Sequence, residues 1–245
     1  MSRSKFARRS SLCALLLTKS LLGCGSGENA PVQQEDPNSP KCLISLSFDY
    51  PRPFADTCGN NLVMNYGTTE TGGMSGEARR FNGDGSYINI KNDKQMSLNS
   101  GTVRVKIDLY AEKYPAENSN GQPRIYPMGV QMGRDSNSWA LGFDSYGRAV
   151  FAKFSKCNGE SPETIESPEG SVPKNELTHL EGSYSAVTDT MELKVGNNNY
   201  LSKKPKEKGI CSNTSADVLL GTVDQEAEDQ FKGWIDNFVV ETSPE

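Results

Sequence analysis

The sequence predicts an all-β fold in which two antiparallel sheets form a jelly-roll sandwich. In the segment 102–110, valine, isoleucine and leucine occupy every second position and charged residues lie between them. This period-two alternation is typical of a strand with one buried face. The segment 191–195 repeats the alternation and runs into Gly196-Asn197-Asn198, a hairpin signal. No long segment has a helical apolar period, and many short strands with turn signals indicate a sandwich or jelly roll.

Other short apolar runs predict further strands, with a turn at Asp144-Ser145-Tyr146-Gly147 between two of them. These strands are 43–48, 87–90, 139–143, 148–155, 177–184 and 217–220. The irregular segment 158–173, rich in Glu, Ser, Gly and Pro, is predicted to be a long exposed loop.

The last strand departs from strict alternation. Its large apolar residues are Ile235, Phe238 and Val240, spaced by three residues and then by two. One extra residue at Asp236-Asn237 would restore the alternation, so we expect a β-bulge there.

The first 23 residues predict an export signal. Residues 1–23 carry five basic residues and no acidic one, and their leucine-rich run is shorter than the roughly 20 apolar residues that span a bilayer. This plan predicts a removable signal peptide. Leu21-Leu22-Gly23-Cys24 resembles a bacterial lipobox, which implies cleavage before Cys24 and lipid on its thiol. An ordinary signal peptide is the alternative, since Lys19 interrupts the apolar run.

The residues after Cys24 predict a membrane tether. Residues 24–41 are polar and rich in Gly and Pro, which is typical of a flexible linker, and residues 42–245 are left to form one domain. Two or three acyl chains on Cys24 would anchor the chain stably to a membrane. By analogy with enteric-type lipoproteins, Gly25 in place of Asp after that cysteine favours the outer membrane.

The charge of the exported chain argues against a nucleic-acid partner. The full sequence has 26 basic and 31 acidic residues, and removal of residues 1–23 leaves 21 basic residues, a net charge of about −10. Phosphate binding requires a basic face, which this balance disfavours.

Four cysteines remain in the predicted domain: Cys42, Cys58, Cys157 and Cys211. An even number in an exported chain predicts two disulfides, among three possible connectivities. We favour Cys42–Cys58 with Cys157–Cys211, because the first two flank one local segment. The absence of a C-x-x-C pair disfavours a zinc site.

Five motifs carry a family resemblance. They are a strand ending in Phe48-Asp49, the turn at 56–61, the segment 78–90, the strand 177–185 and the last strand 231–240. In this order they resemble the laminin-G-like jelly-roll domains of the concanavalin A-like lectin/glucanase superfamily, over most of the chain from Leu43 to Val240. The resemblance implies a binding domain that often holds calcium.

The catalytic patterns of such folds are not found in the sequence. His179 is the one histidine, and we expect it to be a packed, hydrogen-bonded strand residue. Glycosidases of the superfamily use an E-x-D-x-E-like strand, and the nearest match, Glu226-Ala227-Glu228-Asp229, is predicted to be a solvated loop. We therefore expect no enzymatic activity.

Calcium is the single cofactor that the resemblance suggests. One placement has Asp236 on the last strand reaching toward Asp49, and the other uses Asp135 in the loop before Trp139. Alternatively, each aspartate stabilises a turn or the bulge through its side chain and binds no metal.

A sugar site would need exposed aromatic rings beside polar groups. Trp139 and Trp234 lie in strand patterns, which favours core packing for both. The predicted ligand-binding residues are Tyr126, Arg134, Asn137 and Tyr146.

Three hypotheses for function follow. The first is a lipid-anchored cell-envelope module that binds carbohydrate or another glycan. The second is a protein-binding adhesion or structural module with no small ligand, and the third is a glycan hydrolase. Fold class does not decide between them, because function depends on the site.

Overall fold

A computed structural model of the chain describes residues 40–50, 54–58, 61–74, 76–92, 98, 102–117, 125–133, 136–157, 161–197, 199–211, 216–222 and 230–243. Within these ranges all the regular elements are strands, numbered in chain order: β1 Lys41–Leu46, β2 Val63–Tyr66, β3 Thr69–Gly72, β4 Glu77–Asn82, β5 Tyr87–Ile90, β6 Thr102–Ala111, β7 Ile125–Gly133, β8 Ser136–Asp144, β9 Ala149–Lys153, β10 Glu163–Glu166, β11 Leu177–Ser185, β12 Thr190–Val195, β13 Asn199–Lys203, β14 Val218–Leu220 and β15 Lys232–Ser243. In this part of the chain, no helix has the length and apolar character needed to cross a membrane.

The strands form two antiparallel sheets, so the predicted all-β sandwich is confirmed. The first sheet has the order β13-β12-β11-β6-β15-β4-β3, with β1 also paired to β15. The second has the order β10-β9-β8-β7-β14-β5-β2. Neighbours such as β6 and β15 are far apart in sequence, so the sheets depend on long-range pairing.

The predicted bulge in β15 is confirmed. Ile235 pairs with Leu109 and Phe238 with Ile107, so one extra residue of β15 lies between the two pairs. On its other edge β15 pairs with β4 up to Ile235 and with β1 from Phe238 onward. The bulge therefore marks the point at which β15 changes its partner strand.

Side chains from the inner faces of both sheets form the core. Gly182 of β11 lies where the two sheets pack closely, since a Cβ there would be 2.4 Å from the ring of Phe151. The largest fully buried aromatic side chains are Trp139, Tyr184, Phe48, Phe81, Phe143, Phe151, Phe231 and Phe238. Apolar burial of this kind is the main force that holds a sandwich together.

Both favoured disulfides are present. Cys42–Cys58 joins β1 to the following turn, and Cys157–Cys211 joins the segment after β9 to the segment before β14.

The prediction of a long loop at 158–173 was wrong, because β10 lies inside it and pairs with β9. Ile165 is the one buried side chain of this four-residue strand. A short edge strand needs little apolar surface, so its sequence has no clear alternation.

Candidate ligand-binding site

Tyr146 lies on the tight turn between β8 and β9, with its ring partly exposed. The buried carboxylate of Asp144 accepts the backbone N–H groups of Tyr146 at 2.9 Å and Arg148 at 3.0 Å. The carbonyl of Tyr146 accepts the N–H of Gly170 at 3.0 Å, and the carbonyl of Gly147 accepts that of Val172 at 2.8 Å. These bonds fix the turn from both sides, so the aromatic side chain projects from a rigid base.

Polar groups surround the Tyr146 ring. Its hydroxyl donates to Glu117 Oε1 at 2.9 Å, and this hydrogen bond raises the pKa of the phenol. The guanidinium of Arg148 lies 5.3 Å from the ring centroid and is paired with Asp144 at 2.6 Å and Glu166 at 3.2 Å. An aromatic face next to fixed carboxylates and a guanidinium is chemically suited to a sugar, which presents C–H groups on one side and hydroxyls at its edge.

The predicted ligand residues do not form one cluster. Tyr126 pairs with Phe143 near the Tyr146 end of β8, whereas Asn137 lies at the opposite end. About 23 Å of strand separates Asn137 from Asp144, the end of β8 next to Tyr146, at roughly 3.3 Å per residue. Arg134 and Asp135 lie outside the described residues.

Asp49 and Asp236 both bond the backbone of the segment between β3 and β4. Asp49 Oδ1 accepts the N–H of Glu77 at 2.9 Å, and Asp236 Oδ2 accepts the N–H of Met74 at 2.7 Å. Both bonds go to the turn between β3 and β4. The described residues contain no group of three or more carboxylate, histidine or cysteine side chains arranged to hold a metal ion. Both aspartates therefore reach the same segment between β3 and β4, and calcium binding there stays a prediction.

His179 pairs with a carboxylate on the outer face of the first sheet. Its Nδ1 lies 2.7 Å from Asp108 Oδ1, and its Nε2 lies 4.0 Å from Glu181 Oε2. Hydrogen bonds with Asp108 and Glu181 raise the pKa of His179 to about 9. A charged imidazolium held between carboxylates cannot serve as a general base at neutral pH, so this geometry is structural.

The remaining aromatic candidates differ in position. Trp139 is buried in the core and donates to Gln131, as expected. Trp234 instead lies half-buried on the outer face, stacked on Tyr110 with centroids 5.1 Å apart. Tyr66 stacks on Tyr87 at 4.4 Å, and its hydroxyl faces the sulfur of Met64.

A groove at the far end of β9 was missed at the sequence level. It has a volume of about 260 Å³ and is lined by Phe154, Ser155, Lys156, Ser161, Pro162, Glu163, Lys206 and Glu207. Its signal in the sequence was the stretch 203–208, in which four of six residues are lysines.

Comparison with known proteins shows the fold. No family model and no curated protein matches the chain. Among solved structures, the binding domain of Paraclostridial Mosquitocidal Protein 1 matches with a TM-score of 0.62 and 15% identity, over 84% of this chain and 49% of that one. The botulinum neurotoxin serotype G binding domain matches with a TM-score of 0.60 and 14% identity, over 81% and 47%. This chain therefore spans about half the length of these domains.

A smaller domain matches over nearly its whole length. It is domain 4 of AbnA, a GH43 extracellular arabinanase from Geobacillus stearothermophilus, in complex with arabinotriose. The TM-score is 0.54 at 15% identity, over 83% of this chain and 93% of that one. At this identity the likeness establishes a shared β-sandwich fold.

Proposed function

We propose that this chain is an exported, lipid-anchored module of the cell envelope that binds carbohydrate through the Tyr146 turn. One observation carries the proposal: an exposed ring is held rigidly beside hydrogen-bonding groups on Glu117, Glu166 and Arg148. Rigid aromatic anchors bind with little loss of conformational entropy, which is the usual basis of a binding hot spot.

The AbnA domain supports a glycan as the ligand, because a sandwich of comparable size was solved with arabinotriose. The motif resemblance to laminin-G-like domains agrees with a binding role. The lipid on Cys24 and the tether 24–41 would place the module at a membrane and let it reach outward.

Among described residues, the exposed aromatic that best matches Tyr146 for a control is Tyr66, since the two are 37% and 38% exposed. The hydroxyl of Tyr66 donates to the thioether of Met64, so it lacks the carboxylate partner that the hydroxyl of Tyr146 has. The experiment is a glycan array probed with the full chain in phosphatidylcholine nanodiscs, followed by calorimetric titration with the best glycan and with arabinotriose.

We expect Tyr146→Ala to weaken glycan binding about tenfold, which is ~1.4 kcal/mol, and Tyr66→Ala to leave it unchanged. Tyr146→Phe keeps the ring and removes the bond to Glu117, so it separates stacking from hydrogen bonding. Equal losses in the two alanine variants, or no binding on the array, would refute the proposal and leave the protein-binding module as the hypothesis to pursue.

A further inference from the structure

A basic patch in this acidic chain surrounds the groove at the end of β9. We define it by Lys156, Lys203, Lys204, Lys206 and Lys208, all of which are exposed. Within the described residues no ion pair engages Lys204, Lys206 or Lys208, and the ammonium of Lys203 donates to the carbonyl of Thr164 at 2.8 Å. Lysines without an ion pair next to a groove, here Lys204, Lys206 and Lys208, create a local positive potential that favours an anionic ligand.

A buried lysine adds to this potential from below. Lys153 has no exposed surface, and its ammonium donates to the carbonyls of Glu207 at 2.6 Å and Gly209 at 2.9 Å. It also lies 3.4 Å from Glu163 Oε1 and 4.7 Å from the ring centroid of Tyr184. These contacts hold the backbone of 207–209 against the sandwich. Lys208 in this segment and Lys206 next to it are therefore carried on a fixed support.

The carboxylates near the groove are already engaged. Glu163 accepts the backbone N–H groups of Lys206 and of Glu207, the latter at 3.0 Å. The carboxylate of Glu207 lies 3.6 Å from the ammonium of Lys156 at an exposed position. Within the described residues, five exposed lysines and one buried lysine lie near three carboxylates, those of Glu163, Glu207 and Asp189, so the patch keeps a net positive charge.

The groove itself favours a sugar over a lipid headgroup. Its lining combines the largely buried ring of Phe154 and the face of Pro162 with the hydroxyls of Ser155 and Ser161. A volume of about 260 Å³ is slightly below that of typical drug-sized pockets, which suits a single monosaccharide. Headgroup attraction needs a basic surface and no such recess.

We propose that this groove is a second binding site, which takes an anionic sugar residue of an acidic polysaccharide. Lys156 and Lys206 would pair with the carboxylate, sulfate or phosphate of that residue, and the two serines would bond its hydroxyls. The site uses different residues from the Tyr146 turn, and it does not require that turn to bind a glycan.

The test uses the full chain in phosphatidylcholine nanodiscs, titrated with polygalacturonate, with neutral arabinan and with vesicles of phosphatidylcholine and phosphatidylglycerol. Polygalacturonate should bind, and its affinity should fall as salt is raised because the contacts are between exposed charges. Lys156→Gln/Lys206→Gln should weaken this binding about tenfold or more. The matched control is Lys41→Gln/Lys232→Gln, which removes the same charge at two other exposed positions.

The outcomes are distinct. An equal loss in the control pair would mean general electrostatic attraction and would overturn the site. Binding to anionic vesicles without binding to polygalacturonate would overturn it in favour of a membrane surface, and no binding to either would overturn it outright. Arabinan binding that depends on Tyr146 but not on the lysines would uphold glycan binding at the Tyr146 turn. The proposed site in the groove is judged on polygalacturonate alone.

Discussion

The pair formed by His179 and Asp108 predicts that the domain loses stability between neutral and alkaline pH. The pKa of His179 rises from 6.5 to about 9 in the folded protein, chiefly through its hydrogen bond with Asp108. Burial would raise the pKa of Asp108, but hydrogen bonds from His179 and Asn237 lower it. The folded state thus binds the imidazole proton more tightly than the unfolded chain does. The contribution of protonated His179 to the free energy of unfolding is complete below pH 6.5 and is lost as the pH rises through 9.

The size of this loss of stability follows from the pKa shift of His179 and from the exposure of its side chain. A rise from 6.5 to about 9 corresponds to roughly 3 kcal/mol by linkage. The His179 side chain is 35% exposed, so solvent screening reduces this contribution to about 1–2 kcal/mol. Asn237 donates to Asp108 Oδ2 at 3.0 Å, so the pair also holds the bulge of β15 in place.

The assay is urea unfolding of the full chain at pH 6 and at pH 9.5, followed by tryptophan fluorescence. Between pH 6 and pH 9.5, the free energy of unfolding of the wild-type chain should fall by about 1–2 kcal/mol more than that of His179→Gln. Glu192→Gln, on the neighbouring strand β12, is the control and should follow the wild type. If His179→Gln keeps the pH dependence of the wild type, the linkage argument is refuted.

Three further predictions concern backbone, disulfide and anchor. Gly76→Ala should lower the free energy of unfolding by about 2 kcal/mol or more, measured in urea. The reason is that Gly76 has φ +129 and that a Cβ there would lie 2.1 Å from Asp49 Oδ1. An unchanged urea midpoint would contradict this contact. Replacing Cys157 and Cys211 by Ser should lower the free energy of unfolding by up to about 4 kcal/mol, since the bond closes a 54-residue separation; a loss below about 1 kcal/mol would contradict the chain-entropy reasoning. Cells fed a clickable fatty acid should label the wild-type chain and not Cys24→Ala, and label retained by the variant would reject the lipobox.

The sheet architecture was predictable where each strand has one buried and one exposed face. In β6 the apolar alternation of the sequence is unbroken, so the strand and its core-facing side chains followed directly from the sequence. Asp108, on the other face, is also buried and is paired with His179. In β15 the same rule failed in one place, and the failure itself located the bulge between Ile235 and Phe238. Apolar residues carry this signal because the side-chain period of a strand is two.

The binding surfaces were harder to predict because they depend on which strand ends meet in space. Asn137 and Tyr146 are nine positions apart in sequence and lie at opposite ends of β8. The groove next to Phe154 is formed by 161–163 and by 206–207. These segments come together through the pairing of β9 with β10, the contacts of Lys153 and the backbone bonds of 206–207 to Glu163. The edge strand β10 has too few apolar residues to reveal that pairing in advance.

Glu163 and Glu207 line the same groove, and two carboxylates in a cleft are the usual apparatus of a glycosidase. A general acid must hold a proton at working pH, which requires a raised pKa. Burial would raise the pKa of Glu163, but backbone N–H groups of Lys206 and Glu207 and the ammonium of Lys153 lower it. Both of its oxygens already receive donors, Oε2 from Lys206 and Oε1 from Glu207 and Lys153. A proton on either oxygen would displace one of these contacts, so Glu163 stays ionised as a brace for the segment that carries the lysines. The groove therefore lacks, at Glu163, the acid that cleavage would need, which agrees with the proposed binding role.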